Sequence, residues 1–153
     1  MPLAIGDSAP DFAMQSTDGP VRLADFSGRN LILYFYPRDN TTGCTREAIE
    51  FSELLPEFEA LNCTVLGVST DSLKKHENFI AKQNLKIPLA SDPEHEVIEA
   101  YGSWVPKKLY GREYTGIDRS TFLIDGKGRI AALWRKVKVA GHAAQVLQAV
   151  RGL

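Results

Sequence analysis

Cysteine is scarce in this chain: Cys44 and Cys63 are the only two among 153 residues. That excludes a disulfide scaffold, and neither a Cys-x-x-Cys pair nor metal-ligand spacing with His76, His95 or His142 is present. One structural bridge, two buried thiols or a reactive thiol remain open. Charge of one sign is equally lacking, with 18 basic against 19 acidic residues and a net charge of -1. The electrostatic footprint of a nucleic-acid binder is therefore missing. No apolar stretch approaches the roughly 20 residues of a membrane-spanning helix. Residues 1–7 also lack the basic-then-apolar pattern of a secretion signal. The expectation is a cytoplasmic protein without membrane contact. With no repeat, low-complexity tract or Pro/Gly/Ser-rich linker, residues 1–153 read as a single domain, long enough for a packed core.

What is present is an alternation of strand and helix periods. Residues 11–23, with Asp18-Gly19 at the turn, suit a small N-terminal hairpin. The run Leu31-Ile32-Leu33-Tyr34-Phe35-Tyr36 is apolar on both faces and stopped by Pro37, as a central strand of a covered sheet should be. Apolar residues Ile49, Phe51, Leu54, Leu55 and Phe58 predict a helix over 44–60, which Pro56 should bend or cut short. A second buried strand comes next at 63–69, then a helix capped by Asp71 or Ser72 and running to about Lys82. His76 and His95 fall on predicted helix surfaces. An extended piece at 87–90 and a helix over 93–100 lead into 101–118, which reads as a long irregular loop of the kind that often carries function. Two strands around Gly126-Lys127-Gly128 and an amphipathic helix over 140–151 close the chain. Gly126-x-Gly128-x-x-Ala131 formally meets a dinucleotide fingerprint, but residues 130–137 read as a strand where that fingerprint needs a helix. The pattern predicts an α/β, thioredoxin-like fold: a central mixed sheet, helices on both faces and an N-terminal β-hairpin.

The segment from Tyr36 to Glu47 joins the strongest strand to the strongest helix and places Cys44 in the first helical turn. Unpaired backbone N–H groups and the positive end of the helix dipole favour thiolate there. A thiolate displaces alkoxide or hydroxide from a peroxide in one step, becoming a sulfenic acid without metal, flavin or other cofactor. The reaction needs a hydrogen-bonding group beside the sulfur and a cation for the charge that develops. Thr41, three residues before Cys44, can point its hydroxyl toward the sulfur, and Pro37 can shield the site from water.

Pro37, Thr41 and Cys44 match the Pro-x-x-x-Thr-x-x-Cys motif, and here the chain resembles the peroxiredoxins. Through Tyr34 to Thr41 and Gly43-Cys44-Thr45 it is similar to their bacterioferritin-comigratory-protein or PrxQ subfamily, a likeness spanning the chain. Thr42 departs from it, since the subfamily commonly has proline there. The resemblance implies a peroxidase acting on hydrogen peroxide and organic hydroperoxides, with Arg119 completing a site of Cys44, Thr41 and Pro37. It implies resolving cysteines at positions that here hold Ile49 and Ile80. Cys63 is then the only internal candidate, or a small buried hydrophobe. The preferred expectation is a one-cysteine cycle in a monomer, with glutathione or a thioredoxin- or glutaredoxin-like protein as the outside thiol. The rival classes are a non-enzymatic redox sensor and a disulfide oxidoreductase, the latter wanting a thiol where Glu47 stands.

Overall fold

Strand β3 (Asn30–Phe35) is the centre from which the fold is built. In the computed structural model, which describes residues 2–153, Leu31, Leu33 and Phe35 enter one core while Ile32, Tyr34 and Tyr36 enter the other. That is the period-two alternation of a strand covered on both faces. β4 (Cys63–Ser69) runs parallel to it on one side and β8 (Ser120–Ile124) antiparallel on the other. β5 (Leu89–Ser91), β1 (Ala13–Ser16) and β2 (Gly19–Arg22) extend the sheet beyond β4, and β9 (Ile130–Trp134) beyond β8. The result is a mixed seven-stranded sheet in the order β2-β1-β5-β4-β3-β8-β9. Side chains of α1 (Thr42–Ala60), α2 (Leu73–Gln83) and α4 (His142–Arg151) fill the core on one face. The short α3 (Glu96–Ala100), with Ala9 and Phe12, fills the other. The thioredoxin-like arrangement and its N-terminal hairpin are as expected.

Tyr34 is wedged between layers, its ring 4.7 Å from that of Phe51 on α1. Gly67 on β4 makes this possible, because a Cβ there would stand 2.8 Å from the Tyr34 hydroxyl and 2.9 Å from Leu89 Cδ2.

Pro56 does not cut α1 short: the helix continues for 19 residues to Ala60. The missing N–H forfeits one hydrogen bond, and contacts of α1 with β4 and α4 hold the turn in place. The 101–118 segment is not irregular. Trp104–Leu109 (β6) and Arg112–Ile117 (β7) form an antiparallel hairpin of their own. Tyr110 and Gly111 turn it, both with positive φ, 51° and 76°. Most of its side chains face solvent, so no alternation toward a core marks it in the sequence.

His76, expected on a helix surface, is completely buried. It shares a stripe of α2 with Phe79, one turn on. Ser72 caps this helix, its hydroxyl accepting from the Lys75 N–H at 3.2 Å. His95 precedes α3 and stacks on Trp104 at 4.1 Å. No helix among the described residues is long and apolar enough to cross a membrane.

Candidate active site

At the C-terminal end of β3 the chain leaves the sheet through residues 37–41 and enters α1 with Thr41 as its N-cap. Cys44 is thus in the first turn, and it is 1 % exposed. The pairing of β8 with β3, which sets Thr121 opposite Tyr34, brings the residue preceding β8 to the same end. That residue is Arg119. Its Nη2 donates to Cys44 Sγ at 3.3 Å and its Nη1 to Glu47 Oε1 at 2.6 Å. Gly43 leaves space for the guanidinium, since a Cβ there would lie 3.3 Å from Nη2.

The fork geometry of arginine permits this double engagement of sulfur and carboxylate. A cation within hydrogen-bond reach of the sulfur stabilises negative charge on it and on an oxygen breaking away beside it. The guanidinium of Arg119 thus engages Cys44 and Glu47 together, and its ion pair among the described residues is with Glu47.

Glu47 was not among the residues expected here. It lies three residues after Cys44, on the same helical face, but a glutamate on an amphipathic helix looks like an ordinary solvated residue. Only the need to orient a half-buried arginine could have singled it out. Burial pushes its carboxyl up to about 7, with Arg119 opposing. Its Oε2 and the Tyr34 hydroxyl are buried without a hydrogen-bond partner among the described residues.

Linkage fixes the sign of the resulting pH effect. An acid whose folded-state value is raised favours folding below its unfolded value, near 4.5, and loses that contribution as pH climbs through about 7. The advantage in unfolding free energy of Glu47→Gln over the parent should grow between pH 5 and pH 8 by on the order of 2–3 kcal/mol. Urea unfolding of both chains across this range measures it. A pH-independent difference would contradict the assignment.

Thr41 is exposed, and its hydroxyl, expected to point toward the sulfur, donates to the Arg38 carbonyl at 2.9 Å. With its hydrogen committed, the oxygen keeps lone pairs with which to accept from a bound hydroperoxide. Pro37 is exposed on the loop entering the site.

Cys63 is elsewhere. It opens β4 opposite Asn30, at the far end of β3, and α1 alone carries the chain about 24 Å from Cys44 to Ala60. Both cysteines are free thiols. A disulfide needs Cα atoms within about 7 Å, which this arrangement does not approach. Burial pushes the Cys63 thiol up to about 12, so it is also a poor nucleophile.

Asp39, Asp71 and His76 form the one cluster of metal-ligand type among the described residues. Their polar atoms are engaged in hydrogen bonds with one another and with Tyr36, Ser69 and Ala90.

Comparison with known proteins gives the family. Residues 5–133 match the AhpC/TSA family. The chain is 46% identical over 154 residues to Peroxiredoxin Bcp of Bacillus subtilis, covering 100% of this chain and 98% of that one. It is 45% identical over 148 residues to a putative peroxiredoxin bcp of Coxiella burnetii, covering 96% and 98%. Among solved structures, a mutant of Xylella fastidiosa PrxQ superposes with a TM-score of 0.94 at 41% identity, over 99% of this chain and 98% of that one. A bacterioferritin comigratory protein of Xanthomonas campestris, described for its alkyl peroxide reduction activity, gives 0.88 at 43% identity over 92% and 90%. A thiol at a helix start under an arginine fork, on a fold shared along its length with these relatives, makes the chain a member of the AhpC/TSA family, in its Bcp/PrxQ branch: a peroxiredoxin, and so a thiol-dependent peroxidase.

Proposed function

We propose that the Cys44 thiolate attacks the terminal oxygen of hydrogen peroxide or an organic hydroperoxide. A sulfur–oxygen bond forms as the oxygen–oxygen bond breaks, and the displaced oxygen leaves with the electron pair, taking up a proton to become water or an alcohol. Cys44 is left as a sulfenic acid. Arg119 stabilises the charge passing from sulfur to the leaving oxygen, Glu47 holds Arg119, Thr41 accepts the hydroperoxide O–H, and Pro37 borders the entrance. The observation that carries these roles is the 3.3 Å contact of Arg119 Nη2 with Cys44 Sγ. Organic hydroperoxides join the substrate class because the Xanthomonas campestris relative is described as reducing alkyl peroxides.

Resolution belongs to an outside thiol. The placement of Cys63 at the opposite end of β3 supports a one-cysteine cycle, with glutathione or a thioredoxin- or glutaredoxin-like protein attacking the sulfenic sulfur. Cys44, Glu47 and Arg119 come from one chain, which supports a working monomer. Two free thiols suit a reducing cytoplasm and a part in its redox homeostasis.

Mass spectrometry after one equivalent of peroxide tests the cycle. The expected product is a chain carrying one added oxygen at Cys44, with Cys63 still alkylatable after unfolding. A chain about 2 Da lighter, the loss of two hydrogens to an internal disulfide, would overturn the one-cysteine reading. Stopped-flow oxidation by hydrogen peroxide and by an organic hydroperoxide, in the same samples, tests the substrate class.

A further inference from the structure

The loop that delivers Thr41 to the site has no proline after Pro37: it reads Arg38, Asp39, Asn40, Thr41, Thr42, Gly43. Its fixity must come from side chains, and the structure supplies them at one residue. Asp39 is 6 % exposed and held from several directions. Its N–H donates to Asp71 Oδ2 at 2.8 Å, its Oδ1 accepts from the Tyr36 hydroxyl at 2.5 Å, and its Oδ2 meets His76 Nδ1 at 2.7 Å. His76 is itself fixed, its Nε2 lying 2.9 Å from the Ala90 carbonyl oxygen on β5. Because that carbonyl can only accept, Nε2 is the donor to it.

The loop is thus tied to the segments leaving β3 and β4 and to the N-terminal part of α2, and through His76 to β5. The next residue, Asn40, takes a positive φ of 64°, and Thr41 then bonds back to the carbonyl of Arg38. Neither Asp39 nor His76 has a hydrogen bond to Cys44 or Arg119. We infer that Asp39 and His76 are positioning residues for peroxide reduction, acting through Thr41 by holding the loop that presents its oxygen to the hydroperoxide. This inference rests on the role given to Thr41 above.

A double-mutant cycle separates positioning from mere stability, because residues acting through one another give non-additive effects. The rate of Cys44 oxidation by hydrogen peroxide is followed in single-turnover stopped flow. Asp39→Ala should slow it by about fivefold or more in the parent, but by less than about twofold where Thr41 is already valine. Asp39→Asn, which keeps hydrogen-bonding atoms toward Tyr36 and His76, should recover most of the rate. His76→Gln keeps an amide near Ala90 but loses the bond to Asp39, and it should slow oxidation in the same Thr41-dependent way. It also serves if Asp39→Ala does not fold. Wild-type rates in both the Asp39→Ala and His76→Gln chains, or equal slowing in the two backgrounds, would overturn the inference while leaving Thr41 in its role. A wild-type rate for Thr41→Val alone would overturn both.

Discussion

A Cys44→Ser chain should consume neither hydrogen peroxide nor an organic hydroperoxide, and the remaining cysteine should not take over. A serine hydroxyl stays protonated near neutral pH and is a poor nucleophile toward peroxide oxygen. Cys63 is no substitute: with its thiol pushed up to about 12, about one molecule in 10⁵ holds it as thiolate at pH 7, and it is 3 % exposed. Peroxide remaining in solution and the mass of the treated protein are the measurements. An oxygen gained at Cys63 with peroxide still being consumed would reassign the nucleophile.

Arg119→Met is expected to slow sulfur oxidation by at least about tenfold, the scale of one transition-state contact, and by as much as about 10³. Methionine keeps much of the stem and removes both hydrogen bonds, to Cys44 Sγ and to Glu47 Oε1. The second loss matters because Glu47 is left buried without the cation that opposes its protonation. Arg119→Lys should restore only part of the rate, since an ammonium group cannot offer a planar fork to sulfur and carboxylate together. Stopped-flow oxidation of each reduced variant decides it. Near-normal rates in Arg119→Met would remove the guanidinium from the chemistry, whereas a large loss partly repaired by lysine fits the fork.

The parts of this molecule that bury apolar surface were legible in its sequence. β3, β4 and β8 are nearly continuous apolar runs because helices and chain cover them on both faces. The motif residues Cys44 and Thr41 are close enough in sequence for their spacing to carry meaning, and family likeness pointed to Arg119. What escaped is what tertiary structure decides. The β6–β7 hairpin has little core to face, so its strands carry Lys107, Lys108, Arg112 and Glu113 in place of an apolar alternation. Glu47 and His76 are polar residues on amphipathic helices, and only the approach of Arg119 to one and Asp39 to the other, 72 and 37 residues away in sequence, turns them inward. The stripe relation of His76 to Phe79 was a signal that could have been used.

The placement of Cys44 on α1 beyond one end of β3, and of Cys63 on β4 beside the other end, has a kinetic consequence for the oxidised protein. Where a second cysteine lies within reach, a sulfenic acid is captured at a rate the protein itself fixes. Under the proposed one-cysteine cycle its lifetime is left to a competition between two solutes. Thiol returns Cys44 to work, while a second peroxide carries it to the sulfinic acid, which ordinary thiols do not reverse. The fraction lost per turnover then tracks the ratio of peroxide to thiol in the surroundings, so the protein endures while reductant is plentiful and is consumed stoichiometrically once it is not.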